Sequence, residues 1–169
     1  MTVVAALVVP GKDGGAWIGS DCLSSDDNGL ASRSSTPKVG RYGDLLLGFA
    51  GSWRVGYLWH KAASSAYSPS LDQLLDAVKL GEDLKDDWSL LAIERGTIYE
   101  INADRGSIAA RPNADGVSYG AIGSGASVAL GALYVSTSER PDESSLIRAL
   151  EAAEEHCTSV RSPFNILTL

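Results

Sequence analysis

The feature that most constrains this chain is a change of period made twice. Short β-type runs give way to helical spacing, and the same succession then begins again. Thr2 to Val9 is rich in β-branched residues, Pro10 to Gly15 reads as a polar Gly-rich turn, and Ala16 to Asp21 as the returning strand. After a polar stretch from Ser24 to Pro37, read as loop, a second hairpin is predicted from Lys38 to Tyr42, Gly43-Asp44 and Leu45 to Ala50. Gly51-Ser52 then ends the alternation. Trp53, Tyr57 and Ala62-Ala63 recur at helical spacing, with Ser52 as the N-cap of a helix running to about Ala66. Ser70 heads a second helix, in which Leu71, Leu74, Leu75 and Val78 share a face until Gly81.

The second block repeats the plan. Trp88 to Glu94, Thr97 to Asn102 and Ser107 to Arg111 read as a meander turning at Arg95-Gly96 and at Asp104-Arg105-Gly106, and Tyr119 to Ile122 adds a short strand. A Gly-rich step at 123 to 125 opens a helix to about Val135. Ser144 or Ser145 caps another, whose Leu146, Leu150, Ala153 and Cys157 lie on one face, and Phe164 to Leu169 closes the chain as a strand. Two strand blocks, each followed by two helices, suggest an α+β fold with two packed sheets and helices outside, a four-layer αββα sandwich. A two-layer α+β arrangement satisfies the same pattern. At 169 residues the chain is read as one domain, 1–169, with no linker.

Charge narrows the choice of partner. The formal net charge of -7 is spread along the chain and leaves no basic stripe to neutralise phosphates, so neither nucleic acid nor an anionic membrane is expected. No apolar run approaches the ~18 residues of a spanning helix, and no basic segment precedes the first apolar stretch. Two cysteines, Cys22 and Cys157, with two histidines, His60 and His156, make neither a disulfide framework nor a metal-binding spacing. A cytoplasmic protein without metal or cofactor is the expectation.

The chemistry-bearing motifs are individually weak. Gly120 and Gly125 have the separation of a phosphate loop, but Ala126 stands where the lysine is needed, and no βαβ unit follows for a dinucleotide fingerprint. Gly125-Ala126-Ser127-Val128-Ala129 falls short of a nucleophile elbow, and the element order is not the parallel sheet that motif requires, despite His156 downstream. Gly123 and Gly125 then serve a tight strand-to-helix turn, leaving Ser124 at a helix N-terminus. Asp21 and Lys38, taken alone, read as solvated strand-end charges.

Thr2 changes that weighting. Methionine followed by a small residue is a good substrate for aminopeptidase trimming, and loss of Met1 would put a hydroxyl and an α-amine in one residue. An α-amine with a pKa of about 7.7 to 8.0 is partly unprotonated near neutrality and can act as general base. Pairing a threonine hydroxyl with the terminal amine is one way to activate a weak nucleophile. Lys38 could favour the alkoxide, and Asp21 could keep that ammonium charged and oriented.

With these residues in view, the chain resembles the proteasome β-subunit and HslV family of N-terminal-nucleophile threonine peptidases. The resemblance runs through Thr2-Val3-Val4, Ile18-Gly19-Ser20-Asp21, Pro37-Lys38-Val39, Leu47-Gly48-Phe49-Ala50-Gly51 and Ile122-Gly123-Ser124-Gly125, in the family's order and near its spacings. Ala149 to Leu169 is similar to the HslV C-terminus, so the likeness covers essentially the whole chain. It implies Thr2 as nucleophile with its amine as base, Lys38 lowering the pKa of both, Asp21 anchoring Lys38, the Gly48 N–H as oxyanion donor, and Ser124 relaying protons near the amine. Glu155 and Thr158 stand where proteasome subunits have a supporting aspartate and serine. The Pro10 to Gly15 turn is longer than usual in the family, and the second helix with its following loop is short.

The resemblance further implies a threonine-type endopeptidase that cleaves polypeptide substrates through an acyl-enzyme ester. Its partners would be copies of itself in stacked homo-oligomeric rings, hexameric in the family, and an AAA+ ATPase unfoldase. The competing reading is a ring or scaffold subunit that keeps the fold without activity. Strand alternation adds an expectation about specificity: if Gly48 faces the site, Leu46 and Ala50 flank it and form an apolar substrate pocket, unless Leu46 is only core.

Overall fold

The computed structural model describes residues 2–25, 31–33, 36–79, 88–103, 106–137 and 141–169. The first block supplies strands β1 (Val3–Val9), β2 (Gly15–Ser20), β3 (Leu23–Ser25), β4 (Ala31–Arg33), β5 (Val39–Tyr42) and β6 (Leu45–Gly51), then helices α1 (Trp53–Ser64) and α2 (Leu71–Ala77). The second supplies β7 (Trp88–Glu94), β8 (Thr97–Asn102), β9 (Ser107–Ala109) and β10 (Ser118–Gly123). Helices α3 (Ala126–Ser136) and α4 (Glu143–His156) and the closing strand β11 (Asn165–Thr168) follow.

The two sheets do not follow the two blocks. One has the order β10-β1-β2-β11 and the other β5-β6-β7-β8-β9, and all neighbours are antiparallel. Each sheet therefore mixes strands from both halves of the sequence. The hairpins are local and set by their turns, whereas the β1–β10 and β6–β7 pairings join distant segments that no local pattern specifies.

Strand alternation builds three apolar layers. On β1, Val4, Ala6 and Val8 face the space between the sheets, where they meet Ile18, Leu46, Ala50, Leu91, Ile93 and Ile122. Val3 and Ala5 face the other way, onto Leu133, Leu146, Leu150 and Ala153 of α3 and α4. On β6, Leu45, Leu47 and Phe49 pack with Val55, Trp59, Leu71 and Leu74 of α1 and α2. Strands covered on both faces read as continuous apolar runs, as Val3 to Val9 and Leu45 to Ala50 do. Three cores between four layers make the αββα sandwich.

Some elements differ from expectation. The stretch read as loop after Ser24 carries the short β3–β4 ribbon, with Leu23 opposite Arg33. Neither Ser144 nor Ser145 is the cap of α4. Asp142 is, its carboxylate accepting from both of their N–H groups while the Ser145 hydroxyl accepts from the Asp142 N–H. Ser70 caps α2 as expected, in a reciprocal box with Gln73. β9 ends at Ala109 instead of Arg111. Gly81, Asp104, Arg105 and Met1 lie outside the described residues. Among the described residues no helix is long and apolar enough to cross a membrane.

Candidate active site

Four strand ends converge on Thr2. It immediately precedes β1, the second strand of its sheet, and is 3% exposed. Asp21 follows β2, its N–H donating to the Val3 carbonyl at 3.3 Å, so the β1–β2 hairpin that starts the chain delivers both residues. Lys38 stands one residue before β5 and reaches across from the opposite sheet. Gly123 ends β10 with φ +90°, and a Cβ there would stand 2.4 Å from the Thr2 carbonyl oxygen. Only glycine permits both that backbone and that approach, and the turn it makes sets Ser124 beside the Thr2 nitrogen.

The Thr2 hydroxyl donates to Asp21 Oδ1 and accepts from Lys38 Nζ. The ammonium also donates to Asp21 Oδ1 at 2.8 Å and to the Leu23 carbonyl at 2.5 Å, which uses all three of its protons. Asp21 in turn accepts from the Val3 N–H at 3.0 Å and, through Oδ2, from the Leu23 N–H at 3.1 Å. Asp21 is fully buried and Lys38 3% exposed, so two charges have been taken out of water and each is compensated by a full set of partners. Burial holds the Lys38 ammonium below its ordinary pKa, while the charge and hydrogen bond of Asp21 oppose that shift.

On the other side of Thr2, its nitrogen lies 3.2 Å from Ser124 Oγ. That hydroxyl is also 3.2 Å from the Thr2 carbonyl oxygen and 2.9 Å from Ser159 Oγ. The Thr2 carbonyl further accepts from the Gly125 N–H at 3.2 Å, where α3 begins. A cavity of about 320 Å³ opens over this cluster, lined by Thr2, Ala50, Gly51, Trp88, Ser89, Gly123 and Ser124. Such an arrangement can polarise a hydroxyl, stabilise its alkoxide and pass a proton along a hydroxyl pair.

Thr2, Asp21, Lys38 and Ser124 are thus brought together, and Ala50 lines the cavity. The remaining expected residues stand elsewhere. Phe49 N–H donates to the Lys38 carbonyl at 3.1 Å, which turns the N–H groups of 49 and 51 toward the β5 side and those of Gly48 and Ala50 toward β7. Gly48 is opposite Leu91 on β7, so its N–H belongs to that ladder and not to the cavity. Leu46 is fully buried in the layer between the sheets and is not part of the cavity wall. Glu155 and Thr158 are exposed near the end of α4.

Ser159 and Gly51 join the residues expected from the sequence, and Trp88 and Ser89 line the same cavity. Ser159, 7% exposed, is in contact with Ser124, while its neighbour Thr158, which stands where the family has a supporting serine, is exposed. Its signal was a serine next to a threonine after a helix, where one residue of register decides which hydroxyl points inward. Gly51, the exposed last residue of β6 with φ +95°, lines the cavity, and its N–H points away from β7. Its signal was a glycine at the strand-to-helix junction. Among the described residues no group of three or more His, Cys, Asp or Glu side chains could hold a metal ion.

No family model matches the chain, and no curated protein does. Solved structures do. BPH of Thiobacillus denitrificans, in a complex with epoxomicin, superposes with a TM-score of 0.76 at 21% identity, over 98% of this chain and 97% of that one. HslV of Trypanosoma brucei gives 0.73 at 21% identity, over 98% of each chain. Anbu, an ancestral β-subunit from Yersinia bercovieri, gives 0.71 at 14% identity, over 99% of this chain and 81% of that one. Likeness across whole chains, together with three apolar layers in the αββα order, makes this the proteasome β-subunit and HslV fold.

Proposed function

We propose that the chain is a threonine-type endopeptidase, with Thr2 as nucleophile once Met1 has been removed. The observation that carries this reading is the Thr2 hydroxyl held between the Lys38 ammonium and the Asp21 carboxylate, with its nitrogen on Ser124 and a cavity open above it. The freed α-amine takes the hydroxyl proton as Oγ1 attacks the carbonyl carbon of the substrate. Lys38 stabilises the alkoxide as it forms. The tetrahedral oxyanion is held by the Gly51 N–H, a fixed donor of the kind often worth about 3 kcal/mol. The proton then passes from the amine to the leaving nitrogen, with Ser124 and Ser159 as relay, and the ester left on Thr2 is hydrolysed by water through the same groups.

The assembly proposed with this chemistry is a stacked homo-oligomeric ring fed by an AAA+ ATPase unfoldase, acting on polypeptides in the cytoplasm. Enclosure fits the site, because nothing in a shallow cavity lined largely by glycine, alanine and serine would spare a folded protein's loops from cleavage. Ala50 is proposed to shape the pocket, with Leu46 packed in the layer between the sheets behind the cavity wall and Glu155 and Thr158 exposed near the end of α4. Intact mass and covalent labelling test the catalytic reading together. Purified protein should lack Met1, form a one-to-one adduct on Thr2 with a peptide boronate, and cleave a fluorogenic peptide; Thr2→Ala should lose adduct and turnover while folding normally. Turnover by protein whose mass retains Met1 would overturn the mechanism. Processed protein that never acylates would leave the inactive ring subunit.

A further inference from the structure

His60, on α1, uses both ring nitrogens. Nδ1 lies 2.5 Å from the Tyr42 hydroxyl, and Nε2 lies 3.3 Å from the main-chain carbonyl of Lys38. A carbonyl oxygen can only accept, so Nε2 carries the proton, and Nδ1 is then the acceptor for the Tyr42 O–H. A single neutral tautomer satisfies the whole chain of contacts. Burial lowers the pKa of His60 and so favours that neutral ring. The ring sits edge-on to Phe49 with centroids 5.6 Å apart and tilted against Tyr42 at 5.8 Å.

The target of this ring is specific. Lys38 is the residue whose ammonium meets Thr2, Asp21 and Leu23, and its carbonyl already accepts from the Phe49 N–H at 3.1 Å. His60 supplies the second donor to that carbonyl, from a different layer of the fold. We infer that His60 is a positioning residue for Lys38, with Tyr42 setting the tautomer that lets it donate. Packing alone does not account for it, because a ring placed against Phe49 merely to fill space would be apolar and need no partners. The 3.3 Å separation is at the weak end of hydrogen bonding, so removing the donor should displace Lys38 without unfolding the sheet.

This rests on the proposed role of Lys38, and the test keeps the two apart. Processed wild type, His60→Phe, His60→Gln and Tyr42→Phe are compared for kcat and KM on a fluorogenic peptide, for melting temperature, and for the NMR titration of the Lys38 side-chain amine. His60→Phe should lower kcat about tenfold, with KM changed less than about twofold, and should move the Lys38 titration. His60→Gln, whose amide nitrogen can still donate to the carbonyl, should recover most of kcat and the wild-type titration. Tyr42→Phe keeps the imidazole but releases its tautomer, and should give a smaller loss of about threefold in the same direction. Wild-type kcat and an unmoved Lys38 titration in His60→Phe, or in Tyr42→Phe if the first variant does not fold, would overturn the inference. Absence of turnover in the wild type would instead remove the peptidase reading, and the Lys38 titrations would still decide the role of His60.

Discussion

The Lys38 side chain is where burial and charge oppose each other most directly. Its pKa lies below the ordinary 10.5 because desolvation outweighs the support of Asp21. If the ammonium is the form that stabilises the alkoxide, activity falls on the alkaline side as Lys38 loses its proton, below the pH at which a free lysine would. Asp21→Asn removes a group that raises this pKa, so the alkaline limb of kcat should move to still lower pH, and an unmoved limb would separate Asp21 from Lys38. Taken alone, Asp21 and Lys38 read as strand-end charges and Ser124 as a turn residue, so this cluster was legible in the sequence through Thr2 and the family motifs around it. Ser159 was not, since Thr158 and Ser159 carry similar hydroxyls and only the packing of Val160 and Ala153 around Gly125 decides which one turns inward.

At the level of the element, β6 separates two glycines that the sequence alone does not tell apart. Gly48 and Gly51 lie on the same strand, but their N–H groups point to opposite edges, and the edge is known only once Phe49 is seen to donate to Lys38. Gly51→Ala should therefore cut kcat by about 10²-fold, through strain at φ +95° and a displaced donor, with a smaller effect on KM. An activity close to wild type would take the oxyanion role from Gly51. Helix α1 gives a separate expectation about stability. The pKa of His60 is depressed in the folded protein, so between that value and about 6.5 the unfolded chain binds the proton that the folded chain refuses. Stability present above about 6.5 is thus lost as pH falls through this window. Melting temperature should decline more between pH 7 and 5 in the wild type than in His60→Gln, and parallel declines would place the acid sensitivity elsewhere.

Across the whole molecule, the hairpins and helices were readable from period and turn residues, whereas the partition of strands into sheets was not, because β1 meets β10 and β6 meets β7 only through long-range pairing. The same distinction bears on assembly. Helix α3 is apolar nearly all round, yet Tyr134 and Val135 are 71% and 68% exposed, which suits a surface covered by another copy in the proposed ring. Tyr134→Glu should shift the protein from oligomer to smaller species in sedimentation velocity at unchanged helix content, and an unaltered distribution would exclude this face from the assembly. The Thr2–Ser124 hydrogen bond, which spans 122 positions, and the Ser124–Ser159 bond have a consequence in time. During translation Thr2 is made well before Ser124, and Ser124 before Ser159, so the two sides of the proposed site are separated in order of synthesis. In the proposed mechanism a threonine freed early stays chemically idle until Ser159 has been made and the sandwich has closed. Under that mechanism a product cut short before Ser124 would lack both relay hydroxyls, so that interrupted synthesis would not release a protease.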